Sequence, residues 1–183
     1  MKTNLLIAIF LLPLIVSAQK LLKPDVDKIS GDTTWSTSVE KLYFNGNYLT
    51  AQGEAVTFQV VKFSNANGLV LILNPQSLNM GEDLSIAKNH QAFLKLSDNS
   101  IITLISGAND YGNAVYTSIA HTPVQSSSTT AFYELPDAAI EKLKTLSLVF
   151  LRIETSEGNF DCDIKPKNAA KLVKAIELIQ KAK

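Results

Sequence analysis

The spacing of the apolar residues constrains this chain most. Through most of the sequence they recur in alternations or short runs, set off by Gly, Asn, Asp and Pro. After Pro166 they recur every three or four residues. The first spacing is that of β-strands, the second that of an amphipathic helix. Val56 to Phe63 alternates in part, and Leu69 to Leu73 is an unbroken apolar run. Asn67-Gly68 between them is a hairpin signal, because both residues tolerate positive φ. Pro75 is expected to stop the second strand. Ala92 to Leu96 and Ile101 to Ile105 flank Ser97-Asp98-Asn99-Ser100. With an even loop, Leu96 faces Ile101 and Leu94 faces Thr103. Both faces of that hairpin are then apolar, which predicts a central position covered on each side. Val115 to His121 and Ala131 to Leu135 are further strand candidates, and Ser126 to Thr130 is expected to be a loop.

Pro136 suits the first position of a short helix ending near Lys144, with Asp137 at its positive end. Leu146 to Thr155 and Phe160 to Ile164 predict a hairpin turning at Glu157-Gly158. A two-residue turn there sets Ile153 opposite Cys162, Leu151 opposite Ile164, and Arg152 opposite Asp163. Asn168 is the expected N-cap of a final helix running to about Lys181. Ala169, Leu172, Val173, Ile176 and Ile179 form its apolar stripe. The pattern predicts an α+β fold of mainly antiparallel strands, about seven to nine in number. They should form a sandwich or strongly curved sheet, with the short helix and the C-terminal helix packed on it.

The N-terminus carries a different signal. Lys2 precedes an apolar run from Leu5 to Val16, and Val16-Ser17-Ala18 supplies small residues for cleavage before Gln19. Residues 1–18 are expected to be a signal peptide, and 19–183 a single globular domain. The run falls short of the ~20 residues a spanning helix needs. The expected destination is secreted or periplasmic, with no stable membrane insertion after cleavage. Cys162 is the only cysteine, so no disulfide forms within the chain. The 17 basic and 17 acidic side chains leave no excess charge to neutralise phosphates, which argues against a nucleic-acid partner.

Phe132-Tyr133-Glu134-Leu135, Leu143, Leu151-Arg152-Ile153-Glu154-Thr155 and the amphipathic end together carry a resemblance. This last third of the chain, and the Val-Ser-Ala-Gln junction, resemble exported proteins of Bacteroidota-type bacteria. The resemblance implies a strand, short helix, hairpin and terminal helix. It brings no activity with it.

The sequence has no Gly-rich nucleotide loop, no H-E-x-x-H, no G-x-S-x-G and no C-x-x-C. His90 and His121 are the only imidazoles. His90 fits a polar turn, and nothing in the spacing sets His121 beside a Ser and an acid. Strand alternation points Cys162 away from Asp161 and Asp163, as a buried, inert thiol. Asp161, Asp163 and Glu154 share a face, but Arg152 stands among them and Ca²⁺ wants six or more oxygens. No catalytic residue, metal ligand or cofactor is therefore predicted. Aromatic rings in Asn-, Gly- and Thr-rich segments are the better lead, since they suit a sugar or peptide surface. Trp35, Tyr48, Tyr111 and Tyr116, with His121, are the candidate binding residues, and Tyr43 lies in similar surroundings. The expected function is a non-catalytic exported binding or interaction module for a protein, peptide or glycan. The rivals are a small apolar-ligand carrier and a hydrolase built around His121 or the acidic strand pair.

Overall fold

The computed structural model describes residues 19–47, 52–66, 68–78, 84–119 and 122–183, with the backbone alone at 78, 115–119 and 122–124. The chain is α+β and mainly antiparallel. Its strands are β1 (Asp25–Val26), β2 (Thr33–Ser36), β3 (Glu40–Asn47), β4 (Gln52–Phe63), β5 (Leu69–Leu78), β6 (Gln91–Leu96), β7 (Ile101–Ile105), β8 (Asn113–Ile119), β9 (Thr122–Ser128), β10 (Ala131–Leu135), β11 (Leu148–Thr155) and β12 (Gly158–Asp163). Helix α1 (Asp137–Thr145) precedes β11, and α2 (Pro166–Gln180) follows β12. The strands outnumber the seven to nine expected, because the long strands β4 and β5 each share an outer edge between two short partners. β4 takes β3 and β2, and β5 takes β10 and β9.

These strands form a curled half-barrel, with β1 and β8 at its fringes. A second sheet has the order β12-β11-β6-β7. The sheets meet where Ser106, just after β7, bridges to Tyr133 of β10, and the Gly107 N–H donates to the Phe132 carbonyl. The opposite ends of the two rows, β3 and β12, form no ladder with each other among the described residues. Helix α2 packs there, against β3, β4 and β11. One continuous core joins both sheets and both helices.

Several expectations are corrected by local chemistry. Strand β5 runs through Pro75, which pairs with Val56. A strand residue's N–H and C=O point to the same side. The Pro75 carbonyl accepts the Thr129 N–H, so the missing donor faces the gap where β10 gives way to β9. The Asn74 amide donates to the Thr129 carbonyl instead. Ser126, Ser127 and Ser128 belong to β9 instead of a loop, and the Ser127 hydroxyl accepts the Leu84 N–H. Pro136 and Lys165 are the N-caps. Asn168 sits inside the first turn of α2, where its amide donates to the Leu42 carbonyl.

The β6–β7 hairpin has an odd loop. Asn99 adopts φ of 67°, the Leu96 N–H donates to Ser100 O, and the Asn99 N–H donates to Leu96 O. Leu94 therefore faces Ile102, one residue away from the expected register. A one-residue slip exchanges the faces of a strand. Ile102 and Leu104 are buried, while Ile101 and Ile105 are 57% and 56% exposed. One face of this hairpin is open and not covered.

The β11–β12 hairpin slips by two, which preserves the faces. Its turn is Ser156-Glu157, and Gly158 takes the positive φ of 105°. Thr155 Oγ1 accepts the Glu157 N–H and donates to Gly158 O. Leu151 then faces Cys162, and Arg152 faces Asp161 instead of Asp163. Arg152 grips Asp161 with both ends, Nε to Oδ1 at 2.7 Å and Nη2 to Oδ2 at 2.6 Å. The pair is exposed, so solvent screens it. Arg152→Ala is expected to leave the urea midpoint nearly unchanged. Cys162 is fully buried, and burial pushes its thiol well above the ordinary range. A thiol reagent should modify it slowly in buffer and quickly in urea. Fast native labelling would contradict this packing.

Candidate functional site

A hollow lies at the seam between the two rows of strands. It encloses about 730 Å³ and is lined by Lys41, Tyr43, Phe44 and Asn45 of β3, Asp163 of β12, and Lys165, Lys167, Asn168 and Lys171 around the start of α2. Three facts of local sequence build it. The Leu42 carbonyl reaches the Asn168 amide at 2.8 Å. Strand carbonyls lie in the plane of the sheet, so this contact sets the first turn of α2 beside the edge of β3. Pro166 starts α2 immediately after β12, with Lys165 before it and Lys167 after it. Lys167 and Lys171 are four residues apart and share a helix face.

Four ammonium groups and one carboxylate, Asp163, therefore line the groove, and a second carboxylate, Glu40, neutralises Lys171. Lys171 Nζ is 2.9 Å from Glu40 Oε2, an ion pair whose acid side chain is 9% exposed. Lys41 Nζ lies 4.7 Å from the centre of the Phe44 ring, a cation–π contact that holds the ring at the groove's side. Tyr43 packs against the core, and burial raises its hydroxyl above the ordinary phenol value, with Cys162 adding to the effect. The hydroxyl is hydrogen-bonded with the Asn45 side chain, which also lines the groove. No acidic residue stands in the first turn of α2, so its positive end is not offset there. The groove offers cations, hydrogen-bond donors and two rings.

The residues expected from the sequence lie elsewhere. Trp35 of β2 packs partly on the core, with Lys62 Nζ 5.4 Å from its ring centre. Lys62 also donates to the Ala182 carbonyl at 3.0 Å, so this cluster ties the C-terminus to β4. Tyr111 is 83% exposed and precedes β8, at the other fringe of the half-barrel from Trp35. These two rings do not converge. Tyr48, His121 and the side chain of Tyr116 lie outside the described residues. His90 occupies a turn in which its Nδ1 accepts the Ala87 N–H at 3.4 Å.

Two of the three carboxylates considered for Ca²⁺ have other work. Asp161 holds Arg152, and Glu154 Oε2 accepts the Gln91 N–H. No group of three or more potential metal ligands gathers among the described residues. Asp110 accepts the Gly112 and Thr130 N–H groups and so braces a chain crossing. A second depression, of about 270 Å³, lies on the open face of the small sheet among Phe93, Lys95, Ile101, Phe150 and Arg152.

The lysine groove was not singled out from sequence, although Lys165, Lys167 and Lys171 fall within seven residues. A local cluster of that kind ordinarily marks a solvated helix face. Only the fold adds Lys41, Tyr43 and Phe44 opposite it. Compared with known protein families, curated proteins and solved structures, the chain matches none.

Proposed function

We propose that this protein is a non-catalytic binding module acting outside the cytoplasm, and that it holds an anionic ligand in the lysine groove. The observation that carries the reading is the convergence of Lys41, Lys165, Lys167 and Lys171 on one hollow, in a chain with balanced overall charge. In such a chain a concentration of one sign is local, and it focuses potential where the walls exclude water. The size of the hollow falls within the range of binding pockets. The apolar run and Val-Ser-Ala sequence before Gln19 support the location.

The test compares dextran sulfate with neutral dextran by calorimetry. The sulfated polymer should bind the wild-type protein and the neutral one should not. Lys165→Glu with Lys167→Glu should weaken binding about tenfold or more, a loss of about 1.4 kcal/mol or greater. Lys88→Glu with Lys142→Glu makes the same change in net charge away from the groove and should have a much smaller effect. Equal losses in the two double variants would reject the groove as the ligand surface.

A further inference from the structure

The two long strands of the half-barrel turn alternate side chains toward the core. On β4 these include Val56, Phe58 and Val60, and on β5 Leu71 and Leu73, all buried. At one end of both rows the chemistry changes. Two residues before Val56 stands Glu54, and its ladder partner on β5 is Ser77. The two-residue period of a strand turns both to the inner side of the sheet. There, with Leu84, Glu157, Asn159 and Phe160, they line a cleft of about 150 Å³ beside the turn of the β11–β12 hairpin. That turn is anchored. The Ser156 N–H donates to the Ser85 carbonyl, and Ser156 Oγ accepts the Ser85 N–H at 3.2 Å.

Two polar groups in the cleft lack partners. Ser77 is 5% exposed, and its hydroxyl makes no hydrogen bond among the described residues. Buried hydroxyls are ordinarily hydrogen-bonded. Glu54 is half-buried, and burial alone raises its carboxyl above the ordinary range, with no hydrogen bond or cation to lower it. The geometry points to a binding site for a cation here, the primary ammonium end of an alkyl chain, separate from the lysine groove. Two carboxylates, Glu54 and Glu157, set the sign of the ligand. The walls select the kind of cation. A hard metal ion wants six or more oxygens and gains nothing from Leu84 and Phe160. An alkylammonium carries three N–H donors on an apolar stem. Its donors match the Glu54 carboxylate, the Ser77 hydroxyl and the Glu157 carboxylate or Asn159 amide oxygen. Its stem matches Leu84 and the Phe160 ring. A cavity of about 150 Å³ holds a group the size of benzene. Drug-sized ligands need about 300 Å³ or more, so the cleft takes a chain end and not a whole large molecule.

The probe is n-butylammonium, titrated into the protein by calorimetry. It should bind, and n-butanol, which lacks the charge, should bind at least about tenfold more weakly. Tetramethylammonium, which keeps the charge but has no N–H donor, should be weaker by a similar factor. Glu54→Gln, of equal size, should weaken butylammonium about tenfold or more while leaving the thermal midpoint unchanged or higher, because it removes a buried charge that has no partner. Ser77→Ala should weaken binding by a smaller factor. Glu157→Gln, in an exposed turn, repeats the test without touching the interior. Lys165→Glu/Lys167→Glu should bind butylammonium as the wild type does, which separates this site from the groove. Nα-acetyl-lysine methylamide identifies the source. Affinity equal to that of butylammonium supports a lysine of a partner protein, and much weaker affinity supports a free amine. Unchanged butylammonium affinity in both glutamine variants would overturn the site. Binding of Ca²⁺ in preference to butylammonium would overturn the ammonium as the ligand class. A thermal midpoint lowered by Glu54→Gln would show that the carboxylate already has a structural partner, and would overturn the site as well.

Discussion

Gly112→Ala is expected to destabilise the protein by about 3 kcal/mol or more, among the largest effects of any single methyl group. Gly112 adopts φ of 69°, a conformation that costs an L-residue about 1–2 kcal/mol. A Cβ there would also collide with the Leu84 carbonyl oxygen and come within 3.1 Å of the Ser128 carbonyl oxygen. Neither atom belongs to a side chain that can rotate away. Both are held in place. The Leu84 N–H donates to Ser127 Oγ, and Asp110 exchanges backbone hydrogen bonds with Ile86 two residues further on. Relief would require moving the segment that enters β6 away from β9. Gly31→Ala is the control, since Gly31 has φ of 78° and nothing within 4 Å of its Cβ position. It should show the conformational cost alone. For a domain of this size, 3 kcal/mol lowers Tm by on the order of 10 °C. Equal losses in the two variants would mean that Leu84 does not pass over Gly112.

The fold class was legible in the sequence because it depends on periods, and periods survive small errors of register. β10, β11, β12 and α2 all lie close to where the pattern put them. α2 buries Ala169, Leu172, Ile176 and Ile179 as the 3.6-residue period requires, with Ala175 in place of the half-buried Val173. What was not legible was set by single residues in turns. Whether Asn99 takes positive φ decides between an odd and an even loop, and that choice decides which isoleucines of β7 face water. Asn tolerates either conformation, so the sequence leaves the choice open. The β11–β12 hairpin shows the milder case. Moving the turn from Glu157-Gly158 to Ser156-Glu157 shifts the register by two, so the apolar face is kept and only the partner of Arg152 changes.

Pro75 and the serines of β9 illustrate another limit. Each residue type carries a local preference against strand interiors, and each preference is overridden by a neighbour distant in sequence. Pro75 is tolerated because two different strands meet β5 on either side of it. Ser127 is tolerated because the Leu84 N–H needs an acceptor. The candidate site follows the same logic. Rings are conspicuous in sequence, so Trp35 and Tyr111 were singled out, but the fold sets them at different fringes of the large sheet. Lysines are unremarkable in sequence. Those at 41 and 165 are 124 positions apart, and only the seam between β3 and β12 brings them to one hollow.

Leu172→Ala is expected to cost about 2–5 kcal/mol, against a much smaller loss for Leu178→Ala. Leu172 is 1% exposed, within the core that α2 shares with both sheets, whereas Leu178 is only half-buried. Removing Leu172 leaves a cavity that the strands on either side cannot close, because α2 is what fills the seam between them. The helix is also tethered at both ends, by Asn168 to Leu42 and by Ala182 to Lys62, which limits its collapse into the space. Urea titrations should show a lower midpoint at an unchanged slope, the signature of lost stability without a change in the surface exposed on unfolding. The comparison also bears on the groove. Leu172 and Lys171 are adjacent, so a helix that buries Leu172 directs Lys171 toward Glu40 at the seam. If the two leucine variants lost equal stability, α2 would be rotated about its axis. Lys171 would then leave the groove and its partner Glu40.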